Sequence, residues 1–309
     1  MKYAMKLLSA LSLAALATAE LDKPALSSNL DYLLEGNTAA LPTTSHSIAI
    51  WSAGWIPQDC KDLGEGESLS ATDFEVYQIS YEDCVDPWLV CRHKEAPNDI
   101  FAIAETFGRV PVSIRDWVRQ ILVLPGGNSA FAVNGNVAFF GTTDENVDVV
   151  IHESGHCLDG FAAFGEVINT SEGFLAAYDA DTHVPDDYAR SSQAENVAQN
   201  TVIAVYDSNV PGGFPGVQPN YTAIENQYTY IKNLGGDALI PGGTCNRHLE
   251  NSATVPMSDE VASASASATA ASSRLFRKAL AGKPDSSFKG SYDNVVKEFV
   301  SFESGREAF

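Results

Sequence analysis

The sequence predicts an α+β domain with a small mixed sheet, one helix carrying two metal-ligating histidines and a second helix carrying a candidate for a further ligand. Three observations predict it. Short alternating and β-branched runs recur between Asp73 and Phe140. His152-Glu153-Ser154-Gly155-His156 then closes an apolar stretch, and positions i and i+4 of a helix share a face, so both imidazoles can reach one ion. A second amphipathic run, Ser191 to Tyr206, carries Glu195 in its first turn.

The elements follow in order. Lys2 and Lys6 precede the apolar run Leu7 to Leu16, and Ala17-Thr18-Ala19 has the small-x-small form of a cleavage site. Residues 1–19 therefore read as a secretory signal peptide. No later segment approaches the roughly 18 apolar residues of a membrane span. Residues 20–46 form a polar N-terminal segment with few strand or helix signals, and residues 47–250 read as one globular domain. From residue 251 to 309 an Ala/Ser-rich linker, densest from Ser252 to Ser273, leads into a weakly periodic tail.

Within the domain, Asp73 to Ser80 alternates like a strand, and Trp88 to Cys91 reads as another. Asn98-Asp99 caps a helix from Ile100 to Phe107 that Pro111 stops, and Ser113 is positioned to cap a second, Ile114 to Gln120. Ile121 to Leu124 suits a strand. Asn134-Gly135 between Phe131-Ala132-Val133 and Asn136 to Phe140 is a hairpin signal. Thr142 and Glu145 match a capping box ahead of the His152 helix. The strand at Val137 to Phe140, next to that helix, is expected to be a sheet edge able to hold an extended peptide.

Composition narrows the function. The formal charge is −21, and loss of the first 19 residues removes Lys2 and Lys6 and moves it to −23. Such a balance argues against nucleic acid and anionic membranes as partners. Outside the cell the five cysteines favour disulfides, with one thiol left over and the pairing open. Cys84 and Cys91 could close a local loop, and Cys157 could anchor the motif helix through Cys245. Asn169 and Asn220 begin glycosylation sequons. A monomer is expected.

A catalytic zinc needs a third protein ligand and an open position. The metzincin pattern asks for Gly and His where this chain has Asp159 and Ala162. The thermolysin-like pattern asks for Glu where Ala176 stands, Glu172 lacking the expected context, and the Gly-Thr-x-Asp of aspzincins is absent. Glu195 is another candidate, though Ser192-Gln193-Ala194-Glu195 also reads as a capping box. Asp159 is either an acceptor for a ligand imidazole or a polar helix residue. His46, His93, His183 and His248 lack partner spacing, and Asp179 and Asp181 read as a solvated acidic loop rather than a calcium site.

His152-Glu153-Ser154-Gly155-His156-Cys157-Leu158-Asp159, followed by Asp187-Tyr188-Ala189-Arg190-Ser191-Ser192-Gln193-Ala194-Glu195-Asn196, resembles the zinc domain of anthrax lethal factor and the Pro-Pro endopeptidases. The resemblance spans about Asn136 to Tyr206. It implies a zincin-like metallopeptidase domain with His152, His156 and Glu195 as zinc ligands, Glu153 as general base and Tyr188 as oxyanion partner. The helix continues Glu195-Asn196-Val197-Ala198-Gln199, where the bacterial enzymes usually have a second acidic residue. More of the chain, including Asp83-Cys84-Val85-Asp86-Pro87-Trp88-Leu89-Val90-Cys91-Arg92-His93, resembles the fungal conidiation-specific secreted proteins.

The expected function is a secreted zinc metalloendopeptidase acting on extended peptides. The alternatives are a secreted zinc-binding protein of the cell wall or spore surface without turnover, and a non-peptide hydrolase using the same site.

Overall fold

The computed structural model describes residues 20–261 and Glu307–Ala308. The expected signal peptide, the expected Ala/Ser linker beyond Val261 and most of the tail lie outside the described residues. In chain order the elements are β1 (Ala25–Ser27), α1 (Leu34–Ala40), β2 (His46–Ile50), β3 (Trp55–Pro57), α2 (Gln58–Gly66), β4 (Phe74–Tyr81), β5 (Trp88–His93), α3 (Ile100–Phe107) and α4 (Val112–Arg115). They continue as β6 (Gln120–Leu124), β7 (Ser129–Val133), β8 (Asn136–Phe140), α5 (Val147–Gly160), α6 (Glu172–Ala180), β9 (Val184–Asp186), α7 (Gln193–Asn209), α8 (Glu225–Gly235), β10 (Thr254–Pro256) and β11 (Glu307–Ala308).

The fold is α+β around a mixed sheet of order β11-β7-β8-β6-β5-β4-β2, in which β5, β6 and β8 run parallel and the other neighbours pair antiparallel. All five residues of β6 are buried, as expected of a strand covered on both faces. Ile121, Val123, Val137 and Phe139 pack with the helices α3, α5 and α7 on one face. Leu122, Leu124, Ala138 and Phe140 pack with Ile56, Cys60 and Met257 on the other. Asn134 and Gly135 both take positive φ, 51° and 81°, joining β7 to β8 by a tight turn.

Several expectations are corrected. β8 is an inner strand between β6 and β7, so Val137 to Phe140 offers no free edge; β7 is the outer strand of that hairpin, and Glu307–Ala308 pair with its Ala130 and Ser129. The helix expected over Ile114 to Gln120 is only Val112–Arg115, capped at Pro111, because Gln120 already belongs to β6. The predicted box at Thr142 makes no cap bond; Asn146 caps α5 instead, accepting from Asp148 and Val149. The N-terminal segment, polar in sequence, is ordered by a parallel pairing of Ala25 and Ser27 with Val184 and Asp186. Thr254–Pro256 pair with β3, so strand structure continues past residue 250.

The disulfides also differ from the pairings considered. Cys60 joins Cys91 and ties α2 to β5, while Cys84 joins Cys245 and ties the segment after α8 to the turn before β5. Cys157 is the unpaired thiol; it faces the core from α5 and burial raises its pKa. No helix among the described residues is long and apolar enough to cross a membrane. Two disulfides fit a protein of an oxidising compartment.

Candidate metal centre

The centre is assembled by two helices at close approach. α5 carries His152, Glu153 and His156, and α7 carries Glu195. Their contact is set by Gly155: a Cβ there would lie 3.3 Å from Thr201 Cβ and 3.4 Å from Ala198 Cα. A glycine between the two histidines thus lets the backbone of α7 come in close enough for Glu195 to meet them. Ser192 caps α7 by accepting from the Glu195 N–H at 3.2 Å, so the capping-box reading holds for the backbone. The Glu195 side chain turns instead to the histidines.

His152 Nε2 and His156 Nε2 lie 3.2 and 2.9 Å from Glu195 Oε2, and 3.1 Å from each other. All three residues are buried, at 1%, 9% and 4% exposure for His152, His156 and Glu195. Burial opposes charge on Glu195, but the adjoining His156 and His152, by charge and hydrogen bond, hold its carboxyl well below the usual range. Ligand atoms of a tetrahedral zinc stand about 3.3 Å apart, given metal–ligand bonds of about 2.0–2.1 Å. Two imidazole nitrogens and one carboxylate oxygen at 2.9–3.2 Å therefore match a zinc ligand set in donor type and spacing. The other grouping of possible ligands among the described residues, Cys84, Cys245 and Asp116, has both sulfurs in a disulfide.

Glu153 is fully buried on α5 beside His152. Tyr188 enters from the loop after β9, its ring 5.6 Å from that of His152. The five residues singled out in the sequence, His152, Glu153, His156, Tyr188 and Glu195, are thus gathered at one place. A cavity of about 440 Å³ opens beside it, bounded by Asn29 and Leu30, the start of α5, and Asp186 to Tyr188.

Sequence reasoning missed the support behind His152. Its Nδ1 pairs with Gln199 Oε1 at 3.1 Å, and Gln199 Nε2 donates to Asp186 Oδ2 at 2.6 Å. This chain orients the ring where the helix shows no second acidic residue. The signal was present, since Gln199 is one turn after Glu195 on the same face. Asp186 also accepts from the Ala189 N–H at 2.8 Å, and burial pushes its carboxyl up to about 6.

The remaining candidates are held by hydrogen bonds or ring contacts, and Asp159 also interacts electrostatically with His156. Asp159 accepts from the Asn169 N–H at 3.1 Å and from its side-chain amide. That leaves the Asn169 sequon buried and engaged, whereas Asn220 is exposed. Asp181 is not a solvated acid: it is buried and accepts four hydrogen bonds, from the N–H and side-chain amide of both Asn226 and Gln227, at the start of α8. His248 stacks on Trp88 with ring centroids 4.6 Å apart.

Two comparisons with known proteins bear on this chain. Conidiation-specific protein 13 of Neurospora crassa is 32% identical over 238 residues, covering 73% of this chain and 68% of that protein. The family model for the conidiation-specific protein Con-13 matches residues 28–300, a span that takes in both helices of the centre. The chain belongs to the Con-13 family of conidiation-specific proteins.

Proposed function

We propose that the chain is a secreted, zinc-dependent metalloendopeptidase with a zincin-like domain. The observation that carries the reading is the meeting of His152, His156 and Glu195 within 3.2 Å, with Glu153 buried beside them and Tyr188 at the rim. Held by those three side chains, zinc would supply a Lewis acid that sharpens a water and polarises a peptide carbonyl. Glu153 would take the proton of the attacking water and return it to the leaving amine. The Tyr188 hydroxyl would donate to the carbonyl oxygen as negative charge grows there. An extended peptide would lie along β7, the outer strand of the hairpin beside α5, in place of β11, which pairs antiparallel with Ser129 and Ala130 there.

The other reading, a zinc-binding protein of the wall or spore surface without turnover, needs the three ligands but no carboxylate at position 153. The variant Glu153→Gln separates them. It is expected to keep zinc, measured by atomic absorption, and to lower peptide cleavage by at least about 100-fold in a mass-spectrometric library assay. Wild-type protein with full zinc and no cleavage of any library peptide would overturn the peptidase reading.

A further inference from the structure

The cavity beside the metal centre has an unusual charge. Asp31, Asp148, Asp186 and Asp187 contribute to its lining, which contains no Lys or Arg. Those four carboxylates do not form a chelating group of three or more: among the described residues, the only such acidic, His or Cys groupings within ligand distance are the two already described. Their negative field is spread around the walls, which suits an organic cation better than a bare metal ion.

Asp148 supplies a second, independent observation. It sits on α5 one turn before His152, on the same face, and is 8% exposed. Its Oδ1 accepts from Asn37 Nδ2 at 2.7 Å, while its Oδ2 is buried with no hydrogen-bond partner among the described residues. A buried acceptor left this way is costly until a donor arrives. Burial pushes the carboxyl up to about 7, with the Asn37 bond opposing, so an arriving cation would favour its ionised form. Leu30, Val149 and Val202 line the same cavity and offer apolar wall to an aliphatic stem. A divalent ion at the centre would be balanced by Glu153 and Glu195, and no Lys or Arg in the lining pairs with the aspartates. At about 440 Å³ the cavity falls in the range of ligand pockets.

We propose that this cavity takes a lysine or arginine side chain of the bound polypeptide, its stem against Leu30, Val149 and Val202 and its charged head among Asp31, Asp148 and Asp187. The inference deepens the peptidase reading and rests on it for the source of the side chain.

The test is binding, read apart from cleavage. Full-length, zinc-loaded Glu153→Gln protein is titrated with three pools of random nonapeptides lacking other charged residues, each with lysine, norleucine or glutamate at one fixed position. The lysine pool is expected to bind at least about tenfold tighter than norleucine, with glutamate weakest. The preference should shrink severalfold in Asp148→Asn, and in the double variant Asp31→Asn/Asp187→Asn, whose exposed positions keep the test sound if Asp148→Asn fails to fold. Equal binding of the three pools would overturn the inference. So would a lysine preference that both variants leave intact, because the charge would then be read elsewhere, and so would zinc-loaded protein that binds no pool. A lysine preference that the variants erase, in a wild-type protein that cleaves nothing, would uphold the cavity and sink the peptidase reading.

Discussion

At the scale of single residues, the centre depends on how His152 is held. Gln199 and Asp186 form a chain behind its Nδ1, at 3.1 and 2.6 Å. Gln199→Ala removes the acceptor and leaves Asp186 with one hydrogen-bond donor fewer. Zinc affinity, measured by competition with a chromophoric chelator, is expected to fall about 10–100-fold. Asp186→Asn keeps the contact but loses the charge that favours the Gln199 amide donating to it, so a smaller loss is expected. An unchanged affinity in Gln199→Ala would mean that packing alone orients the ring. His152 and His156 were legible in the sequence because their spacing is local, whereas Glu195 was set apart from its capping-box reading only by the resemblance that the segment from Tyr188 to Glu195 carries. Asp186 and Asp31 were not, since each reaches the cavity through the pairing of β1 with β9. Nothing near Ala25 in the sequence announces Val184 as its neighbour.

At the scale of elements, α5 and α7 must approach closely for the centre to exist, and Gly155 is where they touch. A methyl group at this position would meet Thr201 and Ala198 at 3.3–3.4 Å, a contact that small shifts can absorb. The branched side chain of Gly155→Val cannot be absorbed so easily, and overpacking of this kind costs about 1–3 kcal/mol. The variant is expected to lower stability by that amount in urea denaturation. It should also weaken zinc binding, because displacing α7 carries Glu195 away from both histidines. Zinc affinity equal to wild type would show that the helix contact does not set the ligand geometry. The helices and the hairpin could be read from caps and turn residues: Asp99 accepts from Phe101 and Ala102, and Asn134-Gly135 makes the turn. The position of β8 inside the sheet could not, because it follows from the parallel pairing with β6, a contact between segments that alternation leaves unspecified.

At the scale of the whole molecule, the acidity of the chain and its buried carboxylates act in the same direction. Burial raises Asp148 to about 7 and Asp116, Asp144 and Asp186 to about 6, against about 3.9 for aspartate in an unfolded chain. Between those limits the folded protein keeps protons that the unfolded chain has released, so stability falls as pH rises through the window. Burial lowers His93 and His248, which oppose this effect, but only below about 6.5, where an unfolded histidine begins to protonate. Between pH 6.5 and 8 the carboxylates act without that opposition, and the formal charge of −21 at pH 7 adds self-repulsion that protonation relieves. The chelator-treated protein is therefore expected to melt several degrees higher at pH 6 than at pH 8. Asp148→Asn distinguishes the two causes, because it removes the highest of the raised groups while changing the net charge by a single unit. If burial of that carboxyl is the larger cause, the difference in melting temperature shrinks markedly in the variant. A difference of the wild-type size would assign the effect to overall repulsion, and a wild-type midpoint no higher at pH 6 than at pH 8 would contradict both.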